Sequence, residues 1–227
     1  MKALPSFGSV RTTKAYDEFL KTLYGNVKRH VEEIDVPSVR VISVIGRQPP
    51  ASKPYQDAIA VLYGIAYTLK MGLKFGKLPT PPGYFDYKVG ALETFWWSVG
   101  KTFDITNAAT LRWQAFLMVP AFVTGSLVKK ARSQAEAMRP GVSYGTATLA
   151  TVTEGRSMQV LHVGPYDTER PTIAALLAHV ADCGLAVAGR HHEIYLSDPR
   201  RTSPEKLRTV IRLAVKPASR KRAPSRA

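Results

Sequence analysis

The sequence predicts an α+β fold in which two β-α-β-β modules, related by a pseudo-two-fold axis, join in one antiparallel sheet. Helices lie on one face of that sheet and a central ligand cleft on the other. Three observations lead there. Runs of β-branched and aromatic residues of strand length alternate with single longer stretches of helical periodicity. The order strand, helix, two strands occurs twice along the chain. In each copy a Pro-Tyr pair opens the helix, Pro54-Tyr55 and Pro165-Tyr166, and a glycine closes it, Gly72 and Gly184.

Residues 1–30 hold one modest helical spacing, Tyr16, Leu20, Leu23 and Val27, broken at Gly25-Asn26, and read as a peripheral segment. The domain proper spans 31–216, with repeat halves at 31–120 and 147–216. Residues 31–36 and 38–46 are β-branched and apolar, with Pro37 between them, and predict a buried strand followed by a loop over 47–54. Ile59, Leu62, Tyr63, Ala66, Tyr67 and Leu69 place a helix over 55–71, ended by Gly72. Beyond a Pro-rich loop come three aromatic-rich strand candidates, 84–89, 92–97 and 111–120. A connector helix falls within 121–138, carrying Val123, Leu127 and Ala131 on one face and Lys129, Lys130 and Arg132 on another. The second half offers a hairpin over 147–152 and 157–163. A helix follows through Ile173, Leu176, Leu177 and Val180, with Asp167 or Thr168 as its N-cap, and then strands over 191–197 and 208–215.

The chain has 227 residues, 45% hydrophobic and 22% charged, enough for a sizeable core. Its 32 Lys and Arg against 17 Asp and Glu give +15, which raises nucleic acid or an anionic surface as a partner. Five of those charges belong to the stretch from Lys216 onward; residues 217–227 read as a disordered basic tail. Such a tail can bind nucleic acid non-specifically by releasing counterions, or simply keep the chain in solution. Cys183 is the sole cysteine, which excludes an intramolecular disulfide and a cysteine-built zinc site. The N-terminus lacks the apolar run of a signal peptide and no window reads as a membrane span, so a cytoplasmic protein without a membrane partner is expected.

The candidate chemistry lies at His191-His192-Glu193-Ile194-Tyr195-Leu196-Ser197-Asp198-Pro199-Arg200-Arg201-Thr202. Strand alternation sets Ile194 and Leu196 on one face and His191, Glu193 and Tyr195 on the other, the face expected to line the cleft. A carboxylate among aromatic side chains loses water, so the pKa of Glu193 is expected to rise toward neutrality, where it can hold a cation or act as general base on water. Trp96 and Trp97 point to opposite faces; Trp97 is assigned to the cleft and Trp96 to the core. Glu93, Glu154 and Asp86 read as surface carboxylates. His162, His191 and His192 lack the spacing of a metal set, and no nucleophilic-serine, P-loop or dinucleotide motif occurs, so neither metal nor cofactor is expected.

These stretches, together with Tyr84-Phe85-Asp86-Tyr87-Lys88-Val89, Leu92-Glu93 before Trp96-Trp97, and His162-Val163-Gly164-Pro165-Tyr166-Asp167, resemble the stand-alone members of the GyrI-like small-molecule-binding family over roughly residues 30–216. The resemblance implies a pseudo-symmetric pair of modules around a central cleft that holds a carboxylate and aromatic side chains. Some relatives are drug-binding sensor domains fused to DNA-binding helices; some stand-alone relatives hydrolyse electrophilic cyclopropane-containing natural products; a distant branch binds haem. Glu193 matches the family's cleft glutamate, and Tyr195, Tyr84 and Trp97 match its aromatic lining. At Gly90-Ala91-Leu92-Glu93-Thr94 the chain departs from relatives that carry a proline before the Leu-Glu. The implied partner is an amphipathic or aromatic small molecule. Glu193 would activate water against a bound electrophile, and Tyr195 or a neighbouring acid would protonate the departing group. A ligand-sequestering or sensor module without turnover is the competing expectation.

Overall fold

Residues 2–100 and 103–218 are described by the computed structural model. Their elements run β1 (Lys2–Ala3), α1 (Thr13–Leu20), β2 (Glu32–Val36), β3 (Val39–Arg47), α2 (Lys53–Lys74), β4 (Leu92–Ser98), β5 (Leu111–Met118), α3 (Gly125–Met138), β6 (Thr148–Val152), β7 (Gly155–Val163), α4 (Arg170–Asp182), β8 (Leu185–Val187), β9 (His191–Tyr195) and β10 (Arg208–Pro217). The two repeats are therefore β3-α2-β4-β5 and β7-α4-β9-β10, with the short β8 added before β9. They meet where β4 pairs antiparallel with β9, Thr94 opposite Glu193.

The strand order is β1-β2-β7-β10-β9-β4-β5-β3-β6, with β8 also on β10, and every pairing except β1 with β2 is antiparallel. Its two ends are the same pair of chain segments. Glu32–Val36 pairs with Gly155–Gln159, and Val39–Ser43 continues in unbroken register against Thr148–Val152. Pro37, which has no N–H to give a ladder, marks the break between β2 and β3. Across that break the Ser38 and Thr153 hydroxyls hydrogen-bond at 2.7 Å. The sheet thus closes on itself, and closure removes the open edges that a flat sheet of this width would expose.

Closure gives the sheet an outer and an inner face. On the outer face α2 and α3 pack with Trp96, Trp113, Leu117 and Val119 over the first module. There α4 packs with Val160, Ile211 and Leu213 over the second. Trp113 lies flat across its ladder partner Gly46, where any Cβ would meet the indole at 2.2 Å. The inner face packs Phe95, Phe116, Ile194 and Val210 against α1 and the turn after it.

Several expectations change. The segment 1–30, read as peripheral, buries Tyr16, Phe19 and Leu23 in the inner core, and Arg212 donates to the Leu23 carbonyl. Its spacing looked weak because the helix is short and continues into a wider π-turn over Lys21–Gly25. No strand forms over 84–89. Its backbone is taken up by side chains instead, Thr13 donating to the Asp86 carbonyl and Lys70 to that of Tyr87. Residue 217, placed in the tail, belongs to β10 and pairs with Leu185; the tail from 219 on lies outside the described residues.

Candidate functional site

The site is assembled from one strand, one turn and one helix, each positioned by a different local rule. Alternation along β9 sends His191, Glu193 and Tyr195 to the outer face. Cross-strand neighbours on that face are Trp96, Thr94 and Leu92 of β4 and Ile211 and Thr209 of β10. From α2, whose first turn Pro54 opens, Tyr55 reaches down; its hydroxyl hydrogen-bonds Thr94 at 2.8 Å and its ring packs on Trp96. On the other side the turn Tyr166–Thr168 brings the Tyr166 ring edge-on to Tyr195 at 5.8 Å.

That turn is set by the His162-Val163-Gly164-Pro165-Tyr166-Asp167 stretch. His162 Nδ1 meets the Thr172 hydroxyl at 2.9 Å and its Nε2 the Pro165 carbonyl at 3.2 Å, while the Thr168 hydroxyl donates to the same carbonyl at 2.7 Å. Neither Asp167 nor Thr168 caps α4, as the sequence had suggested, because both belong to the preceding 3-10 turn and Glu169 takes the N-cap position. Glu169 ends the turn and leads into the helix.

Glu193 is 5% exposed. Its Oε1 lies 2.9 Å from His191 Nε2, and its Oε2 accepts from the Tyr195 hydroxyl at 2.6 Å; Tyr195 in turn accepts from Trp96 Nε1 at 3.3 Å. Burial works to raise the Glu193 pKa, but His191, Tyr195 and the nearby Trp96 outweigh it, and the group lies below the ordinary 4.5. The expected rise toward neutrality does not occur, because the desolvated carboxylate has three donors rather than a purely aromatic wall. Burial and the Glu193 charge push Tyr195 well above 10, so it stays a phenol. Glu169 behaves in the opposite way. It too is 5% exposed, its Oε1 has no hydrogen-bond partner, and burial together with the charge on Glu193 pushes its pKa up to about 9. Near neutrality the site holds one ionised and one protonated carboxyl.

This arrangement corrects the placement of the site. Glu193 and Tyr195 share the face with the helices, between α2 and α4, while the opposite face, expected to be a cleft, is filled by core side chains and α1. Trp97 points to that inner side and carries the Arg190 guanidinium over its ring at 3.7 Å; Trp96 is the indole at Glu193. Tyr84 packs edge-on against Phe122, away from the hydrogen bonds around Glu193. The residues missed are Tyr55, Thr94, Trp96, Tyr166 and Glu169. A signal for Glu169 was available: with Ile173, Leu176 and Val180 it keeps the three-and-four spacing of the buried helix face, where a carboxylate is out of place.

Glu93 and Glu154 are not surface residues. Inside the ring His192 Nδ1 lies 3.0 Å from Glu154 and its Nε2 3.2 Å from Glu93, and fully buried Arg212 donates to Glu154, to Gln159 and to the Leu23 carbonyl. Asp86 is half exposed between Lys70 and Lys74, and Arg200 and Arg201 pair with Asp198 rather than with Glu193. Among the described residues no group of three or more His, Cys, Asp or Glu could hold a metal ion, and no helix is long and apolar enough to cross a membrane.

A duplicated β-α-β-β ring with a polar cluster set between its two module helices defines the chain as an α+β protein of two paired modules. The chain belongs to the GyrI-like small-molecule-binding domain family, whose pattern matches residues 136–216. It is similar to a crystal structure of an uncharacterized conserved protein from Listeria innocua, 38% identical, covering 87% of this chain and 98% of that one with a TM-score of 0.79. A hydrolase from Listeria innocua is 36% identical over 88% of this chain and 98% of that one, TM-score 0.78. The EcmrR C-terminal domain shares the fold at 15% identity, over 83% of this chain and 98% of that domain, TM-score 0.53. No curated protein matches the sequence.

Proposed function

We propose that the chain binds an electrophilic, amphipathic small molecule between α2 and α4 and hydrolyses it, with Glu193 as general base and Tyr195 and Trp96 holding that carboxylate in place. The observation that carries this reading is the buried, ionised Glu193 beside a second carboxyl that stays protonated, a division that suits acid–base chemistry near neutral pH. The rim adds ligand-like surface: Tyr166 is 41% exposed and Tyr67 51% exposed, on the two elements that flank the carboxylate. The similarity to a Listeria innocua hydrolase supports the hydrolytic half.

The substrate class is a strained, cyclopropane-bearing compound conjugated to a carbonyl. Water attacks the ring carbon, its proton passes to Glu193, the ring C–C bond breaks, and the electron pair moves to the carbonyl oxygen, which takes up a proton. A carboxylate with a lowered pKa is a weak base, so Glu193 orients the water and accepts its proton late, once the C–O bond has begun to form. The biological role that follows is detoxification of reactive compounds across more than one scaffold, in a cytoplasmic setting that suits a lone cysteine.

Product analysis with cyclopropane-bearing electrophiles, run beside thermal-shift binding and repeated on Glu193→Gln, tests this. Ring-opened product from the wild type, with a roughly 100-fold or greater loss in the variant and retained ligand stabilisation, is expected. Stabilisation without product would make the chain a sequestering or sensor module.

A further inference from the structure

We infer that Glu169 is the proton donor of this site, giving its proton to the oxygen that receives the electron pair while Glu193 takes the proton of the attacking water. The inference rests on the hydrolytic reading above and adds the acid that it needs. Its first support is position. Glu169 follows Tyr166 by three residues, in a turn fixed by His162, Thr168 and the Gly164 N–H, which donates to the Leu207 carbonyl. Tyr166 touches Tyr195, which holds Glu193. Thr209 of β10, the ladder partner of Tyr195, lies beside Glu169 and influences its titration.

The second support is lack of a partner. Glu169 Oε1 is buried without a hydrogen bond, with the Thr209 hydroxyl beside the carboxyl, whereas the oxygens of Glu193 are both engaged. Buried polar atoms are rarely left unpaired, and an open carboxyl oxygen in this cluster points to a ligand atom that completes it. The other candidate donor, Tyr195, has its proton committed to the 2.6 Å bond with Glu193 and a pKa raised well above 10. Glu169 remains. Burial and the Glu193 charge keep it protonated up to about pH 9. The groups that act on it are Glu193 from β9, Thr209 from β10 and Tyr166 in its own turn, while His162 of β7 is engaged by Thr172 and Pro165. After each turnover the proton on Glu193 returns through solvent to Glu169, so no net proton is consumed.

The test pairs kinetics with infrared spectroscopy. Glu169→Gln keeps the shape and cannot transfer a proton. It should lower kcat by about 100- to 10,000-fold with KM within about threefold, and lack the fall in kcat/KM expected of the wild type near pH 9. A variant kcat within about threefold of wild type overturns the assignment. Independently, wild-type protein at pH 7 should show the carbonyl stretch of a protonated carboxyl that Glu169→Gln lacks and that shifts when a cyclopropane-bearing electrophile binds. If the wild type makes no product, the hydrolytic reading and the donor role fall together; if the wild type makes product but the protonated-carboxyl band is absent or unmoved, only the assignment of Glu169 is overturned.

Discussion

Glu193 stays ionised in a buried position because its neighbours, rather than its depth, decide its charge. His191 and Tyr195 each occupy one oxygen, so Tyr195→Phe removes the 2.6 Å donor and should raise the Glu193 pKa. The acid limb of a kcat/KM profile should then move to higher pH, and an unmoved limb would mean that Tyr195 is not what holds the carboxylate down. Glu169 carries the opposite sign. Its folded pKa of about 9 exceeds the ordinary 4.5, so the native state binds the extra proton between those values and stability falls as pH rises through that window. Glu169→Gln, which cannot ionise, should therefore gain Tm relative to wild type as pH goes from 5 to 9. Site residues that weaken the fold in this way are a usual cost of function. Alternation made Glu193 and Tyr195 legible together, since a period of two keeps them on one face. The same rule told that Trp96 and Trp97 part company but not which indole goes where, because parity needs to know which face bears the helices.

Two elements concentrate the consequences. The turn from Gly164 to Thr168 carries Tyr166 and leads directly into Glu169, and Gly164 has φ +143°, a conformation L side chains rarely adopt. A Cβ there would also meet Thr168 Oγ1 at 3.1 Å and His162 Nε2 at 3.3 Å. Gly164→Ala should lower turnover by loosening the turn while far-UV circular dichroism stays unchanged; loss of the whole fold would show that the turn is a folding element instead. Inside the ring, β9, β10 and the β6–β7 bend share the Glu154, His192 and Arg212 network. Burial opposes it, yet His192 and Arg212 bring Glu154 down to about 2, and burial likewise opposes a His192 pKa that Glu154 and Glu93 raise. Glu154 thus contributes stability that is present above about pH 4.5 and lost as pH falls toward 2, while the His192 contribution is complete below 6.5 and lost as pH rises through its folded value. Glu154→Gln strands a fully buried guanidinium and should cost about 3–5 kcal/mol in urea unfolding. It should also flatten the acid unfolding limb between pH 4.5 and 2.

At the scale of the molecule, ring closure and α1 act together: the closed sheet leaves an inner face that must be filled, and α1 with its following turn fills it. Removing residues 1–27 takes away Tyr16, Phe19 and Leu23 and the carbonyl that Arg212 uses. The truncated chain should bind a hydrophobic dye and lose its cooperative melting transition; a sharp transition near the wild-type Tm would show that the ring closes without its plug. The duplication, most of its strands and helices, and the shared face of Glu193 and Tyr195 on β9 were legible in the sequence because they are written in local periodicity and in two repeated Pro-Tyr pairs. Local pattern misled over 84–89: aromatic content favours a strand, but side chains from α2 and the N-terminal segment claim the backbone. Tertiary structure alone decided that β2–β3 pairs with β6–β7 across the break at Pro37, which face is inner, and therefore where Trp96, Tyr55 and Glu169 sit relative to Glu193. Those are contacts between residues far apart in the chain, set by how the sheet closes and what must fill it, and no local spacing encodes them.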